Sequence, residues 1–171
     1  MNTITAMPSL HLPWYVLQCK PRMEDFAAHS LRSLMGLVVY IPKRKVPSKG
    51  RTIPLFPGYV FIQADLQIIS PSCINATAGV VRLVSFSGEP AILPTDVMMS
   101  LQEKVALLDA SEPVVPGSVE PLRDDVWRGL ESLVTSSTSP MHRVQIFLHL
   151  LGRQQELHLQ RQRREQLLRK G

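Results

Sequence analysis

Nine residues, Pro54-Leu55-Phe56-Pro57-Gly58-Tyr59-Val60-Phe61-Ile62, constrain what this chain can fold into more than any other stretch. Pro54 and Pro57 hold φ near about −65° and have no amide donor, so they belong at the entrance or edge of a strand. Gly58 has no Cβ and can take a kinked backbone just before that strand. Tyr59-Val60-Phe61-Ile62 then has the β-branched and aromatic composition of a strand. Strand side chains alternate, so Tyr59 and Phe61 share one face while Val60 and Ile62 share the other. A strand apolar on both faces needs cover on both, from its own domain or from a partner. The plain reading is a core strand.

At 171 residues the chain has room for one medium domain or two small ones. A hydrophobic content of 44% with 19% charged residues reads as globular rather than disordered. The net charge of +5 is unevenly placed. Residues 1–140 balance 12 basic against 12 acidic side chains, whereas residues 141–171 carry 7 against 2. Residues 20–51 hold eight basic and two acidic groups, and residues 96–131 hold three and eight. That alternation suits polyanion contact at two places with an acidic segment between them; its bland counterpart is a set of solvated faces.

Cys19 and Cys73 have no metal-ligand spacing and suggest no disulfide scaffold, so reduced thiols and a cytoplasmic location are expected. Met1–Pro13 lacks the basic start and apolar run of a signal peptide, and no run of 18 apolar residues suggests a spanning helix. Catalysis would need a nucleophile with its base, or clustered ligands. His11, His29, His142, His149 and His158 are scattered, and neither a phosphate-cradling glycine loop nor a His-Glu-x-x-His is present. The chain does not read as an enzyme, and no cofactor or metal is expected.

In chain order, Trp14–Cys19 reads as a strand after Pro13, and Lys20-Pro21 ends it. A helix is expected from Arg22 to Met35, with Phe26, Leu31, Leu34 and Met35 at roughly helical spacing and Gly36 as its stop. Leu37–Ile41 is a second strand, and Lys43–Arg51 a polar basic loop with Lys43, Arg44, Lys45, Lys49 and Arg51 near its tip. Asp65–Ser72 reads as short helix or irregular chain broken by Pro71. Val80–Phe86 is another strand closed by a Ser87-Gly88 turn, Pro90–Leu93 a brief extended piece, and Pro94-Thr95-Asp96 a helix start. This order predicts an α+β fold, helices packed on an antiparallel sheet. The expected divisions are an N-terminal extension 1–13, a domain 14–109, a linker 110–121 and a C-terminal domain 122–171. Leu122, Val126, Leu130, Leu133 and Val134 form one helical stripe, and Val144, Phe147, Leu148 and Leu151 a second, flanking a turn at Thr135–Pro140. Val144, Ile146, Leu148 and Leu150 also alternate as a strand would, and periodicity cannot arbitrate between the two.

Leu55-Phe56-Pro57-Gly58-Tyr59-Val60-Phe61 resembles the signature strand of the NusG family of transcription elongation factors, and Trp14-Tyr15 through Lys20 resembles that family's opening strand. Ile74–Val80 and Pro90–Pro94 are similar to the RfaH-type specialised paralogues. Past the linker, Arg128–Glu131 and Arg143–Arg153 resemble fragments of the family's KOW domain, with its usual opening reduced to Arg123-Asp124-Asp125-Val126. The resemblance implies an antitermination factor that binds the clamp helices of bacterial RNA polymerase and the non-template DNA strand, suppressing pausing and termination at selected operons. It implies a polymerase-binding face of Leu55, Phe56, Tyr59 and Phe61, with Leu83 and Phe86 beside it.

For DNA the resemblance points to Lys20, Asn75 and Thr77, with Arg22 and Arg82 nearby; cations would anchor phosphates, and Asn and Thr could reach bases or backbone. For Asn75 and Thr77 a helix cap or turn is the structural alternative. Departures from the RfaH pattern are specific. Ser70-Pro71-Ser72 replaces a His-Thr-Thr loop that touches the second large subunit, Ala78 and Pro21 replace two arginines, and Ile53 replaces a glutamate that pairs with the C-terminal domain. The resemblance further implies a C-terminal helical hairpin packed over the aromatic face in the free, monomeric protein, with a β-barrel as its alternative state and a small-subunit ribosomal protein as a further partner. The competing reading is an RNA- or ribosome-binding KOW-type protein.

Overall fold

The structure, a computed structural model, describes residues 12–46, 50–109 and 139–169. The expected linker 110–121 and the first C-terminal stripe, from Leu122 to Val134, lie outside the described residues. The elements are β1 (Trp14–Cys19), α1 (Glu24–Met35), β2 (Val38–Tyr40), β3 (Lys43–Val46), β4 (Arg51–Pro54), β5 (Tyr59–Gln63), α2 (Pro71–Asn75), β6 (Val80–Leu83), β7 (Ser85–Phe86), β8 (Glu89–Pro90), β9 (Ile92–Leu93), α3 (Thr95–Asp109) and α4 (Pro140–Leu168). The expected α+β class holds, with an antiparallel sheet between helices. Among the described residues there is no closed barrel, and no helix is long and apolar enough to cross a membrane.

Five strands make the main sheet in the order β2-β5-β1-β6, with β9 pairing β1 beside β6. Every pairing is antiparallel, and β1 and β5 run in register from Trp14↔Gln63 to Gln18↔Tyr59. The predicted alternation of β5 is realised: Val60 and Ile62 join Tyr15, Leu17, Ala27, Ala28 and Leu31 under α1, while Phe61 joins Trp14, Val16, Phe56 and residues of α3 and α4 on the opposite side. One strand therefore serves two cores. Val97, Met98, Leu101 and Val105 of α3 are buried in the second of them.

Three local expectations change. Lys43–Arg51 is not simply a loop: Lys43–Val46 pairs with Arg51–Pro54 as a separate two-stranded ribbon, because Lys43↔Pro54 to Val46↔Arg51 satisfies backbone groups that a loop would leave to water. Pro71 starts a helix rather than breaking one: Ser70 is the N-cap of α2, its Oγ accepting from the Cys73 amide at 3.3 Å, and Pro71 occupies the first turn where no amide is needed. Val80–Phe86 is split at Val84, and its second part forms a hairpin with β8 across Ser87-Gly88, whose φ values of 52° and 83° match the twist of a two-residue turn.

The approach to β5 is braced at Gly58. Its φ of 79° lies in the left-handed region, its carbonyl accepts from the Cys19 amide at 2.7 Å, and its own amide donates to Oε1 of buried Glu24 at 2.7 Å. Nothing in the local sequence announces Glu24 as that acceptor. Glu24→Ala leaves a part-buried amide unpaired and is expected to cost about 1–3 kcal/mol in urea unfolding. A loss of only a few tenths means water replaces the carboxylate without penalty.

Cys19 is buried beside the same carboxylate, and burial first, then Glu24, pushes its thiol up from 9.0 to about 12. The folded state thus holds that proton more tightly than the unfolded chain, so the stabilisation is complete below pH 9 and is lost as pH climbs towards 12. Tyr15, raised by burial and then by Asp65, slopes the same way. Urea midpoints should therefore fall as the solution becomes alkaline, and Cys19→Ala should flatten the fall without abolishing it. An identical slope in the variant contradicts the assignment.

Candidate functional site

Leu55, Phe56 and Phe61 are all buried, and what covers them is α4. The helix starts at Ser139, whose Oγ accepts from the His142 amide at 3.3 Å, with Pro140 in the first turn. Val144, Phe147, Leu151 and Gln155 are buried at spacings of three and four, so the helical stripe, not the strand alternation, meets the domain. Ile146, Leu148 and Leu150, which a strand would have aligned with Val144, are only partly buried.

Phe147 is the centre of the contact. Its ring lies 4.9 Å from Phe56 and 5.6 Å from Phe61, tilted against the first and edge-on to the second, while Phe56 and Phe61 meet edge-on at 6.1 Å. Such offset geometries bring ring edges to ring faces, contributing about 0.5–1.5 kcal/mol a pair beyond burial. Tyr40 closes one side against Phe61 at 6.4 Å.

Polar contacts set the register of the helix. Arg143 is fully buried, and its Nε donates to the Leu55 carbonyl at 3.1 Å. Burial, then the positive charge of Arg44, lowers its pKa, yet a guanidinium remains charged at neutral pH. Two turns beyond Phe147, Gln155 accepts from the Ile92 amide at 3.4 Å. Between them Gly152, which costs about 1 kcal/mol relative to alanine inside a helix, leaves room for Phe86: a Cβ there would stand 3.2 Å from the Phe86 ring.

The residues expected at a polymerase face divide accordingly. Leu55, Phe56 and Phe61 are brought together under α4, Tyr59 is half-buried at their margin, and Phe86 packs against the same cluster. Leu83 is a correction. Its register with Leu17 places it with Val60 in the core under α1, on the other side of the sheet, so it does not belong to this face.

The residues expected at DNA gather at the far end of β1. Lys20 follows that strand, its amide donating to the Gly79 carbonyl at 2.8 Å, and Arg22 is exposed two residues later. Arg82 is exposed and donates to Gln18 at 3.0 Å; its register with Gln18, and Gln18's with Tyr59, puts all three on the aromatic side. Burial raises the pKa of Tyr59 while Arg82 opposes the shift, so that cation is near enough to act on the phenol. Asn75 and Thr77 serve the fold. Asn75 Oδ1 accepts from the Leu83 amide at 2.6 Å, and buried Thr77 donates to the Cys73 carbonyl at 3.2 Å. Asn75 is still exposed; Thr77 is not. Ser70 and Ser72 are exposed at the start of α2 with Pro71 between them.

Arg143, Gln155 and Glu24 carry contacts that inspection of the sequence missed. For Arg143 a signal existed, since it lies four residues before Phe147 on the same helical stripe. For the other two there was none.

The sequence profile of the family described as transcription termination factor NusG matches residues 12–102, which takes in every strand of the sheet and most of α3. Among solved structures, one described as "Domain interaction in Thermotoga maritima NusG" is similar at 22% identity with a TM-score of 0.47, covering 63% of this chain and 65% of that one. The match thus takes in slightly less than two thirds of that chain's length. With more than half of its length matched by the family profile, the chain belongs to the NusG family.

Proposed function

We propose that the protein is a transcription elongation and antitermination factor of the RfaH type, working in the cytoplasm on bacterial RNA polymerase. Its docking face for the clamp helices is Leu55, Phe56, Tyr59 and Phe61, with Phe86 at the edge. The non-template strand passes over Lys20, Arg22 and Arg82, with Asn75 presented by the contact that its Oδ1 makes to Leu83; Thr77 supports that turn from inside. Ser70, Pro71 and Ser72 stand where a second large subunit would be met. Residues 14–109 are the polymerase-binding domain, 110–121 the linker and 122–171 a KOW-related C-terminal domain.

The observation that carries this reading is Phe147 seated on Phe56 and Phe61. An aromatic face occupied by a helix from the far end of the chain is a face that can be uncovered. Masking here rests on Phe147 and on the bond from Arg143 to the Leu55 carbonyl, since Ile53 cannot form the carboxylate pair of the RfaH pattern. Displacement of α4 by polymerase and DNA frees the face, and the alternation through Val144–Leu150 allows the released segment to repack as a β-barrel that meets a ribosomal protein. A KOW-type protein that binds RNA or ribosomes without touching polymerase is the alternative, and it predicts no role for Phe56.

Phe147→Ala removes a buried aromatic and should weaken α4 docking by about 3–5 kcal/mol. Retention on immobilised core RNA polymerase is expected to rise at least tenfold for this variant over the parent. Adding Phe56→Ala should abolish the gain. Unchanged retention of Phe147→Ala, with hydrogen exchange showing that α4 has loosened, excludes the masked face.

Circular dichroism of residues 118–171 alone, set against the full chain, tests the second state. A β signal in the fragment beside helix in the full chain supports repacking; helix in both means that α4 undocks without refolding.

A further inference from the structure

We infer that the outer half of α4, with the groove it forms against the β7–β8 turn, is a binding surface for single-stranded nucleic acid. Gln155 is the last buried residue of the helix, and every residue from Gln160 to Arg169 is exposed. Residues 156–168 therefore prolong α4 by about 20 Å past its last buried anchor. Leu157 still packs partly on the core, but residues 160–166 are polar all round and exposed, so their composition answers to solvent or to a partner. From Arg153 to Arg169 that composition is five arginines against two glutamates. Among the described residues none of these arginines makes an ion pair.

The groove supplies the second chemistry. It has a volume of about 550 Å³ and is lined by Phe86 and Ser87 on one side and, from α4, by Gly152, Arg153, Glu156, Gln160 and Arg163. Phe86 is half-buried and reaches the groove because Gly152 has no side chain to exclude it. An aromatic ring beside guanidinium groups is the pairing that binds unpaired bases by stacking and their phosphates by charge, without reading sequence. A membrane surface fits less well, because Leu167 and Leu168 are exposed at the helix end with no apolar stripe leading to them. The arginines lie towards the opposite end of α4 from Arg143 and Phe147, while Phe86 borders both this groove and the cluster that covers Phe56.

The test uses the full chain without polymerase, so its failure leaves the polymerase reading standing. Fluorescence anisotropy is measured with labelled single-stranded 15-mers, one DNA and one RNA, over a salt series. Polyglutamate of matched length is the competitor. Wild-type binding should weaken with salt at about 0.7 log units of affinity per log unit of salt for each phosphate contact. The combined variant Arg153→Gln, Arg161→Gln, Arg163→Gln, Arg164→Gln keeps good helix formers in place. It should bind at least tenfold more weakly at low salt, with a slope smaller in magnitude by about 2–3. Phe86→Leu should weaken binding about fivefold and leave the salt slope unchanged, since stacking releases no counterions. Equal loss for DNA and RNA assigns the surface to the phosphodiester chain in general; loss for RNA alone assigns it to the transcript. Either supports the proposal. No binding by wild type, wild-type affinity in the combined variant, no effect of Phe86→Leu, or polyglutamate competing as well as nucleic acid overturns it.

Discussion

Phe147 on Phe56 and Phe61 is the contact on which the arrangement of this protein depends. Each of the three rings is buried, and each would be an exposed apolar surface without the others. The contact joins residues 86 and 91 positions apart in the chain, so its stability has to offset the closure of a long loop. That cost grows only slowly with length, roughly 0.6 kcal/mol per doubling, and a few buried aromatics suffice to offset it.

The other side of β5 has a different character. There the strand is held by α1 through small and branched residues packed without exposure, and the entrance to the strand is pinned at Gly58 by the Glu24 carboxylate and the Cys19 amide. Those contacts join neighbours within one domain, and they fix where the aromatic face points. One face of the strand is covered from within residues 14–83; the other is covered by α3 and by α4 from the far end of the chain. The left-handed turn at Gly58 and the buried carboxylate behind it hold the entrance to the strand whose aromatic face α4 covers.

Polar side chains at the turn into β6 are engaged by the fold itself. Asn75 and Thr77 sit where a nucleic-acid contact is expected, and each hydrogen-bonds a backbone group that shapes the turn into β6. Arg82 is aligned with Gln18 and Tyr59 across three strands, which carries the positive end of β1 onto the aromatic side.

Much of the N-terminal fold was legible in residue order. Prolines, Gly36 and Gly58 marked the element ends, and period-2 alternation told the two faces of β5 apart. These are local preferences of backbone and side chain, and they act wherever the residues are placed. Leu83, which the resemblance put beside the aromatic face, lies in the core under α1, because the face a strand residue occupies depends on register with its neighbour, here Leu17. Local preferences also missed the β3–β4 ribbon, whose pairing is a property of two segments together. For α4 the sequence alone determined only an ambiguity: Val144 to Leu151 satisfies helical and strand periods at once. Tertiary structure decided it, since Val144, Phe147, Leu151 and Gln155 project together only from a helix, and the apolar face ready to receive them lies on Phe56 and Phe61. Local composition can state what a segment is able to bury, but the partner surface selects which of its faces is buried.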